Sequence, residues 1–285
     1  MIFQRISNDI LFVIVTYKEK YYECNSYTSL KNSFLHSSIK DIQLNVYVGD
    51  NTDVKDWNCS DYLEEEELIK ICYKQYDNPG LSYVYNKAAA YAKTNNFSWI
   101  VLLDQDTLLP LDFYKNYLDS IKNNTDITLK VPIIKIDNNR ILSPAKYKFY
   151  RSYLYKNINA GIMNMRDNSF INTGMLINTD FFLKVGGYNE CIKLDFTDHD
   201  FVHKCKQYIR QFEVINVELK QDFSSVTNTK KQAIKRYLLY LRDLKEFKIN
   251  KENGFLLFIN SDLLRLIKLT IQYKTIDFIK LRFKK

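Results

Sequence analysis

The chain has 285 residues, of which 46% are hydrophobic and 26% are charged, so it can bury a sizeable core and is not globally disordered. Its 7 glycines and 4 prolines are too few for collagen-like repeats or long linkers. The net charge is +8, but the basic residues form no single arm and no helix-turn-helix or zinc-finger spacing occurs, so no nucleic-acid partner is predicted.

Apolar, β-branched runs alternate with longer polar segments through the first part of the chain. They predict strands at 10–17, 44–49, 68–73 and 98–103. The polar stretch after the first run is about long enough for a crossover helix. Another helix is predicted to begin with Asn78 as its cap and Pro79 in its first turn. This alternation predicts an α/β fold with a mostly parallel central sheet flanked by helices.

The middle of the chain continues the α/β pattern. Further strands are predicted at 127–136 and 170–178. Thr179 is predicted to cap a short helix that ends at Gly186-Gly187, and residues 198–208 are predicted to be helical.

The C-terminal part is basic and amphipathic. Segment 230–248 predicts a helix, and 255–285 predicts a second amphipathic stretch. One side of the first helix carries four apolar residues, namely Tyr237, Leu238, Leu241 and Leu244. We therefore predict a domain over 1–225 and a basic amphipathic helical extension over 226–285.

The five cysteines are odd in number and form no CxxC pair, which favours reduced thiols in a cytoplasmic chain. The N-terminus has no signal-peptide pattern, and no apolar run reaches the roughly 18 residues of a membrane span. The mixture of apolar and basic residues in 255–285 predicts peripheral contact with an anionic membrane, at the inner face of the cell membrane. Packing of this segment on the domain, or on a second subunit, is the alternative.

Polar residues stand at the carboxyl ends of three predicted strands, where parallel α/β sheets bind ligands. They are Thr16 and Tyr17, Asp50 and Asn51, and Asp104 and Asp106. If the fourth strand continues through Asp106, strand alternation places both of its carboxylates on one side. Two neighbouring carboxylates favour a hard divalent cation such as Mg²⁺ or Mn²⁺. The same Asp-x-Asp sequence is also compatible with a solvated turn that binds no metal.

Two further aspartates have chemical and structural interpretations. Asp50 could accept the ring N–H of uracil or thymine, or it could simply belong to an Asp-Asn turn. Asp198 is predicted near a helix start, where a carboxylate can act as a general base or as a helix cap. His199 and His203 have the spacing of the HExxH zinc-protease motif, but Asp200 replaces its catalytic Glu. The one other histidine in the sequence is His36, so a third histidine ligand is scarce and no zinc site is expected.

Seven motifs occur in order between about residue 10 and about residue 228. They read FVIVTY, VGDNT, NPGLSYVYNKAAAYA, LLDQDT, FINTGMLI, GGYNE and FTDHDFVHK. In this order and spacing the chain resembles family 2 glycosyltransferases of the GT-A (nucleotide-diphospho-sugar transferase) fold, in particular their bacterial rhamnosyltransferase-like branch.

The resemblance implies how a nucleotide-sugar donor would be bound. Thr16 and Tyr17 would line the nucleotide pocket, and Asp50 would bind the base. Asp104 would lie near ribose and phosphate. Three more positions would lie near the donor, namely Asn78, Gly80 and Asn86, and Lys204 takes the place of an Arg in the family pattern.

The resemblance also implies a metal and a catalytic base. Asp106 would bind Mn²⁺ or Mg²⁺, and Asp198 would be the general base. Two positions depart from the pattern: Thr197 replaces a Glu, and Gln221 stands where many relatives have a metal-binding His. Gln is a weaker ligand than imidazole for Mn²⁺, so the metal dependence is in question.

The implied reaction is inverting transfer of a hexose, such as rhamnose or galactose, from a dTDP- or UDP-sugar. Its acceptor would be a hydroxyl of a growing, lipid-linked cell-surface polysaccharide. Segment 145–168 is a candidate acceptor-binding loop, and the alternative is a loop that only covers the core. Two alternatives for the chain are a nucleotidyltransferase, whose Gly-rich phosphate loop is absent after the first strand, and a non-catalytic sugar-nucleotide-binding protein.

Overall fold

The computed structural model describes residues 9–39, 42–55, 67–137, 140–221, 229–249 and 254–284, with the backbone alone at 137, 221, 248 and 249. The strands in these ranges are β1 Ile10–Thr16, β2 Leu44–Asp50, β3 Ile69–Gln75, β4 Trp99–Asp104, β5 Thr107–Leu108, β6 Leu129–Asp137, β7 Arg140–Ser143, β8 Ala145–Lys148, β9 Arg151–Leu154, β10 Gly161–Asn164, β11 Asn168–Ser169, β12 Leu176–Asn178 and β13 Gln211–Gln221.

Helices cover the sheet and form the C-terminal part. They are α1 Asn25–His36, α2 Leu81–Thr94, α3 Phe113–Asn123, α4 Thr179–Lys184, α5 Thr197–Cys205, α6 Lys230–Ile249, α7 Gly254–Leu257, α8 Leu264–Tyr273 and α9 Asp277–Phe283, with a π-helical turn at Phe258–Leu263 between α7 and α8. Among the helices of these described ranges, none has the length and apolar character needed to cross a bilayer.

The main sheet has the order β10-β13-β6-β12-β4-β1-β2-β3, with β5 beside β13 and β7 beside β6. Strands β4, β1, β2 and β3 are mutually parallel, and β12 inserts antiparallel between β4 and β6. The register pairs Thr16 with Asp50 and Val15 with Asp104. The carboxyl ends of β1, β2 and β4 therefore meet at one edge of the sheet.

The alternation of side chains along β1 explains why the sheet is covered on both faces. Every residue of β1 is buried. Leu11, Val13 and Val15 pack into a cluster with α2, whereas Ile10, Phe12 and Ile14 pack into another cluster with α1 and α3. A strand that is apolar on both sides belongs in the middle of such a sheet. The predicted mostly parallel α/β architecture is confirmed.

A buried ion pair joins β6 to β13. The Lys130 ammonium donates to Glu213 Oε2 at 2.9 Å and to the carbonyls of Ser120 and Asn124 at 2.6 and 2.8 Å. Burial lowers the pKa of Lys130, and the Glu213 carboxylate opposes that shift. Removing one partner of such a pair costs about 3–5 kcal/mol, so it ties the end of α3 firmly to the sheet.

The C-terminal helices share a core with the rest of the chain. Tyr237, Tyr240, Leu244 and Phe247 of α6 form a cluster with Ile192, and residues from α7, α8 and α9 join it. The predicted division between 225 and 226 lies within 222–228, outside the described residues. It stays a prediction.

Two predicted helix caps are wrong. Helix α2 begins at Leu81 with Gly80 as its cap residue, so Asn78 and Pro79 precede it. The reason is local, since Asn78 has a φ of 46°, which turns the chain before the helix can start. In α4 the cap is the Asn178 side chain, which accepts from Phe181 N at 3.0 Å, while Thr179 Oγ donates to the Phe97 carbonyl.

One predicted strand begins later than expected, and the fourth strand does not continue through Asp106. Of 170–178, only Leu176–Asn178 is a strand, because Gly174 adopts a φ of +77° and breaks the extended run. Strand β4 ends at Asp104, so Asp106 lies in the turn that follows and strand alternation does not orient it.

Candidate active site

A cavity of about 920 Å³ opens at the carboxyl edge of β1 and β4. Seven of the residues singled out from the sequence line it, namely Thr16, Tyr17, Asn78, Gly80, Asp104, Asp106 and Asp198. Asn51, at the end of β2, lines it as well. The cavity thus gathers polar residues that lie up to about 180 positions apart in sequence, as parallel sheets do at their carboxyl edge.

Gln105 fastens the ends of β1 and β4 together. Its Oε1 accepts from Tyr17 N at 2.6 Å, and its Nε2 donates to the Tyr17 carbonyl at 3.4 Å. Ser26, from α1, donates its hydroxyl to the carbonyls of Asp104 and Thr107. The backbone on both sides of Asp106 is therefore fixed, and the Tyr17 ring remains 45% exposed beside the cavity.

Asp104 is oriented by a buried tyrosine of α2. Tyr85 Oη donates to Asp104 Oδ1 at 3.1 Å, and the backbone N–H of Asp104 donates to Thr173 Oγ1 at 3.1 Å. Burial, followed by the charge of Asp104, raises the pKa of Tyr85 well above its usual value. Tyr85 therefore stays protonated and keeps donating to the carboxylate.

Asp106 lies in a region of negative charge. Burial and then the charges of Asp106 and Glu23 raise the pKa of Glu19. Carboxylates that repel each other in this way favour a cation between them. Among the described residues, no group of three His, Cys, Asp or Glu side chains could hold a metal ion.

The oxygen donors present nevertheless fit one class of metal site. Mg²⁺ is commonly held by one or two carboxylates together with substrate phosphates. Asp104 and Asp106 both line the cavity and supply that number. The side chain of Gln221 lies outside the described residues, and its backbone pairs with Thr107, next to Asp106.

Asp198 is the second residue of α5, which confirms its predicted place near a helix start. Its Oδ1 accepts from His199 N at 2.8 Å, and the helix N-terminus favours its negative charge. Asp104 and Asp198 both contribute to raising the pKa of Tyr85 and Tyr188, after the larger effect of burial. The two carboxylates therefore flank the same pair of packed tyrosine rings, whose centroids are 5.3 Å apart.

Asp50 lies at the edge of the sheet but does not line the cavity. Its carboxylate is buried, accepting from Tyr73 Oη at 2.7 Å and from Thr52 N at 2.9 Å. This arrangement is that of the Asp-Asn turn considered above, and it positions Asn51 at the cavity wall. Binding of a base by Asp50 stays a prediction.

Asn86 and Lys204 do not line the cavity either, because both hold one glycine turn. Asn86 Oδ1 accepts from Tyr188 N at 2.8 Å, and its Nδ2 donates to Tyr188 O at 3.0 Å and to Glu190 at 2.9 Å. Lys204 Nζ donates to Gly187 O at 2.8 Å. We call this set, Asn86, Lys204 and Gly187–Tyr188, the glycine clasp. It joins α2, the turn after α4, and α5.

Gly80 is needed for a second junction between the same segments. Its φ is +111°, and a Cβ there would lie 2.8 Å from Lys193 Cβ and 2.9 Å from Lys193 Cα. Leu81 N donates to Lys193 O at 2.8 Å, and Ser82 Oγ donates to Ile192 O at 2.6 Å. The start of α2 therefore rests directly on the loop that leads to Asp198.

Sequence reasoning missed a basic wall of the cavity. It consists of Lys193 in that loop and of Arg236 and Arg242 on α6, with Leu239 between them. The i, i+3, i+6 spacing of the α6 residues, one helix face, is a signal that could have indicated a shared function. The sequence pattern instead places α6 in the basic amphipathic extension over 226–285.

Helix α6 also holds the loop in place. The buried Asp243 carboxylate accepts from the backbone N–H groups of Lys193, Leu194 and Asp195 at 3.2, 2.9 and 3.0 Å. Arg236 makes a bidentate pair with Asp195, at 2.5 and 2.9 Å. The fold thus builds its cavity from the sheet edge, the 193–196 loop, the start of α5 and α6 together.

Comparison with known proteins decides the family. The model of the family described as "Glycosyltransferase like family 2" matches residues 13–248, most of the chain. The chain belongs to this family. It is a glycosyltransferase, and this membership decides against the nucleotidyltransferase alternative. The match runs through α6, so the basic wall lies inside the family region.

Solved structures share the GT-A fold with this glycosyltransferase. S. aureus TarS 1–349 aligns with a TM-score of 0.54 at 15% identity, over 95% of this chain and 80% of that chain. Its complex with UDP-GlcNAc aligns with a TM-score of 0.55 at 13% identity, over the same 95% and 80%. GalNAc-T7, solved with UDP, GalNAc and Mn²⁺, aligns with a TM-score of 0.54 at 13% identity, over 74% of this chain. This chain spans 43% of the GalNAc-T7 chain. None of the curated protein sequences matches it.

The glycine clasp predicts different costs for two adjacent glycine substitutions. Both glycines have positive φ, so either alanine costs about 1–2 kcal/mol of backbone strain. A Cβ on Gly187 would also lie 2.5 Å from Asn86 Oδ1, whereas one on Gly186 meets nothing within 4 Å. Urea unfolding should show that Gly187→Ala loses at least about 1 kcal/mol more than Gly186→Ala. Equal losses would contradict the clasp.

Proposed function

We propose that this glycosyltransferase moves a hexose, with inversion, from a UDP- or dTDP-linked donor to an acceptor hydroxyl. The observation that carries the proposal is the shared cavity of Asp104, Asp106 and Asp198. In this assignment, Asp104 and Asp106 face the donor diphosphate and Asp198 removes the acceptor proton. A non-catalytic sugar-nucleotide binder would not need a base beside the donor site.

The donor would lie along the carboxyl edge of β1 and β2. Thr16, Tyr17 and Asn51 line that part of the cavity, and Asn78 and Gly80 close it at the start of α2. TarS and GalNAc-T7 have been solved with UDP or a UDP-sugar, which supports a uridine donor. The sequence resemblance favours dTDP-rhamnose, so UDP- and dTDP-linked sugars should both be tested as donors.

The metal in this proposal is Mn²⁺ or Mg²⁺, as the Mn²⁺ in GalNAc-T7 suggests. Asp106 would hold it, with Asp104 and the predicted Gln221 as further oxygen donors. When bound, the ion would neutralise charge on the leaving diphosphate. Lys193 and Arg242, on the basic wall, would attract the same phosphates from the opposite side. With cationic side chains already present, the chain depends less on a strong histidine ligand.

Asp198 would act on the acceptor. A sugar hydroxyl is a weak nucleophile at neutral pH, and a positioned carboxylate that takes its proton contributes about 10²–10⁴-fold. The hydrogen bond from His199 N fixes Oδ1 and so orients the carboxylate. One base and one direct displacement invert the anomeric centre.

Replacing Asp198 tests the base. Asp198→Asn keeps the size and one acceptor oxygen but cannot take the proton, so transfer should fall about 10²–10⁴-fold with unchanged donor affinity. The control is Asp180→Asn, which alters an exposed aspartate in the first turn of α4 and should transfer sugar normally. Near-normal turnover by Asp198→Asn would remove Asp198 from this role.

Replacing Asp106 tests the metal site. Calorimetry should show that Mn²⁺ strengthens nucleotide-sugar binding by the native chain, and that Asp106→Ala abolishes the gain, about tenfold or more in affinity. Asp112→Ala removes an exposed carboxylate from the cap of α3 and should keep the gain. Binding by the native chain that is identical with and without Mn²⁺ would contradict the metal role.

The C-terminal helices carry features of a membrane-surface segment. They pack on α6 with one side, and their other side leaves apolar residues exposed, namely Leu264, Ile267, Ile271, Ile276, Ile279 and Phe283. Lysines 268, 274, 280 and 284 are exposed on the same helices. We propose that this face lies on an anionic membrane and brings the site to a lipid-linked acceptor of a cell-surface polysaccharide.

Vesicle flotation tests the membrane face. The native chain should float with vesicles rich in phosphatidylglycerol and not with phosphatidylcholine alone. Ile267→Gln with Ile271→Gln should abolish flotation, whereas Leu183→Gln, at an exposed leucine of α4, should not. Substitution is preferable to truncation, since α7–α9 share the core of α6. Native chain that stays unbound at low salt would exclude the membrane.

A further inference from the structure

A second cavity lies on the other side of the loop that leads to Asp198. Its volume is about 400 Å³. Leu194 and Asp198 line both cavities, so the loop is the wall between them. Asn260, Ser261 and Arg265 form the opposite side of the second cavity, and they lie beyond residue 248, where the family match ends.

The lining side chains are held in place by contacts with one another and with Phe149. Arg265 stacks on the Tyr240 ring, with its guanidinium carbon 3.8 Å from the centroid. Asn260 Nδ2 donates to Phe149 O at 2.7 Å, which leaves its amide oxygen as an acceptor. Tyr240 Oη donates to Ser261 O at 2.6 Å. A recognition surface built this way loses little side-chain freedom when a ligand binds.

His199 completes this surface from the domain side. Its Nδ1 is 2.9 Å from Ser169 Oγ, and its ring stacks on Tyr147 with centroids 4.3 Å apart. Both contacts fix the ring next to Asp198 and leave Nε2 for a ligand. The candidate acceptor segment 145–168 thus contacts two lining residues of this cavity, His199 through Tyr147 and Asn260 through Phe149.

The charges of the lining favour an uncharged ligand. Asp195 is already paired with two guanidinium groups, that of Arg236 at 2.5 and 2.9 Å and that of Arg265 at 3.6 Å, and Asp198 adds a second carboxylate. Two cations therefore balance two carboxylates, and a phosphate or a uronic acid would find no excess positive charge here. The guanidinium, amide, hydroxyl and imidazole groups offer both donors and acceptors, which suits a ligand with several hydroxyls.

We infer that the second cavity is the acceptor-sugar subsite, and that it takes a neutral sugar through Asn260, Arg265 and His199. This inference rests on the proposed function, because Asp198 is then the group that both substrates share. The donor would occupy the larger cavity, and an acceptor hydroxyl would approach Asp198 from the smaller one. Acceptor choice would depend on residues outside the family match.

Ligand binding to the full chain tests the subsite without requiring turnover. The probes are p-nitrophenyl glycosides of neutral hexoses and of glucuronic acid, observed by saturation-transfer NMR with UDP present. The native chain should bind at least one neutral glycoside in preference to the glucuronide. Asn260→Ala and Arg265→Gln should weaken that binding about tenfold, because each removes a hydrogen-bonding group.

A matched variant and a second ligand make the result specific. Gln272→Ala removes an amide group from the same helix at an exposed site outside the cavity, and it should bind the glycosides normally. UDP affinity, measured by calorimetry, should be unchanged in all variants. Arg265→Lys, which keeps the charge beside Asp195, should also weaken glycoside binding if it folds with a native melting temperature.

The subsite would be overturned if the native chain bound no neutral glycoside, or if the native chain, Asn260→Ala and Arg265→Gln bound it equally. A preference for the glucuronide would contradict the charge argument and would count against the inference in the same way. Failure of the proposed function looks different, because the native chain would then not bind a nucleotide or nucleotide sugar at all.

Discussion

The site depends most on the buried carboxylate of Asp243. It accepts from three successive backbone N–H groups, those of Lys193, Leu194 and Asp195, and the carboxylate itself is fully buried. A hydrogen bond to a charged group contributes about 1.5–3 kcal/mol, so losing all three would reshape the loop. Helix α5, and with it Asp198, begins only two residues later. A residue of α6, far from the reacting groups in sequence, therefore helps to set the position of the proposed base.

The parts of the fold that were predictable are those with a strong local signal. Strands β1, β2 and β4 are runs of buried apolar residues, and their ends place Thr16, Tyr17 and Asp104 at the sheet edge with no further information. The helix caps were not predictable in the same way. Asn and Thr are both good caps, and the choice between Asn178 and Thr179 depends on the Phe97 carbonyl, a partner that only the folded chain provides.

Residue roles were harder to predict than residue positions. The motifs containing Asn86 and Lys204 suggested donor contacts, but both side chains hold the turn at Gly187. Residues of a motif can thus be needed for the site because they hydrogen-bond to one another and fix its backbone, without contacting the donor. Amphipathicity was right for Tyr237 and Leu244 of α6 but wrong for Leu238, for a related reason. It placed Leu238 on the apolar side, yet that side chain is 47% exposed, and the buried face runs through Tyr240 and Phe247. Helix α6 packs against two partners, the 193–196 loop and the C-terminal helices. A single apolar stripe along the helix therefore cannot account for both contacts.

The position of Asp198 between two cavities connects these points to the chemistry. Inversion by direct displacement requires the attacking hydroxyl and the leaving diphosphate to lie on opposite sides of the anomeric carbon. A base on the wall between a donor cavity and an acceptor cavity is in the right place for that geometry. The larger cavity is formed by the family region, whereas the smaller one needs Asn260 and Arg265 from the C-terminal helices. The helices that carry the exposed apolar face would then also select the acceptor. An acceptor presented at a membrane surface would reach Asp198 from the side that those helices cover.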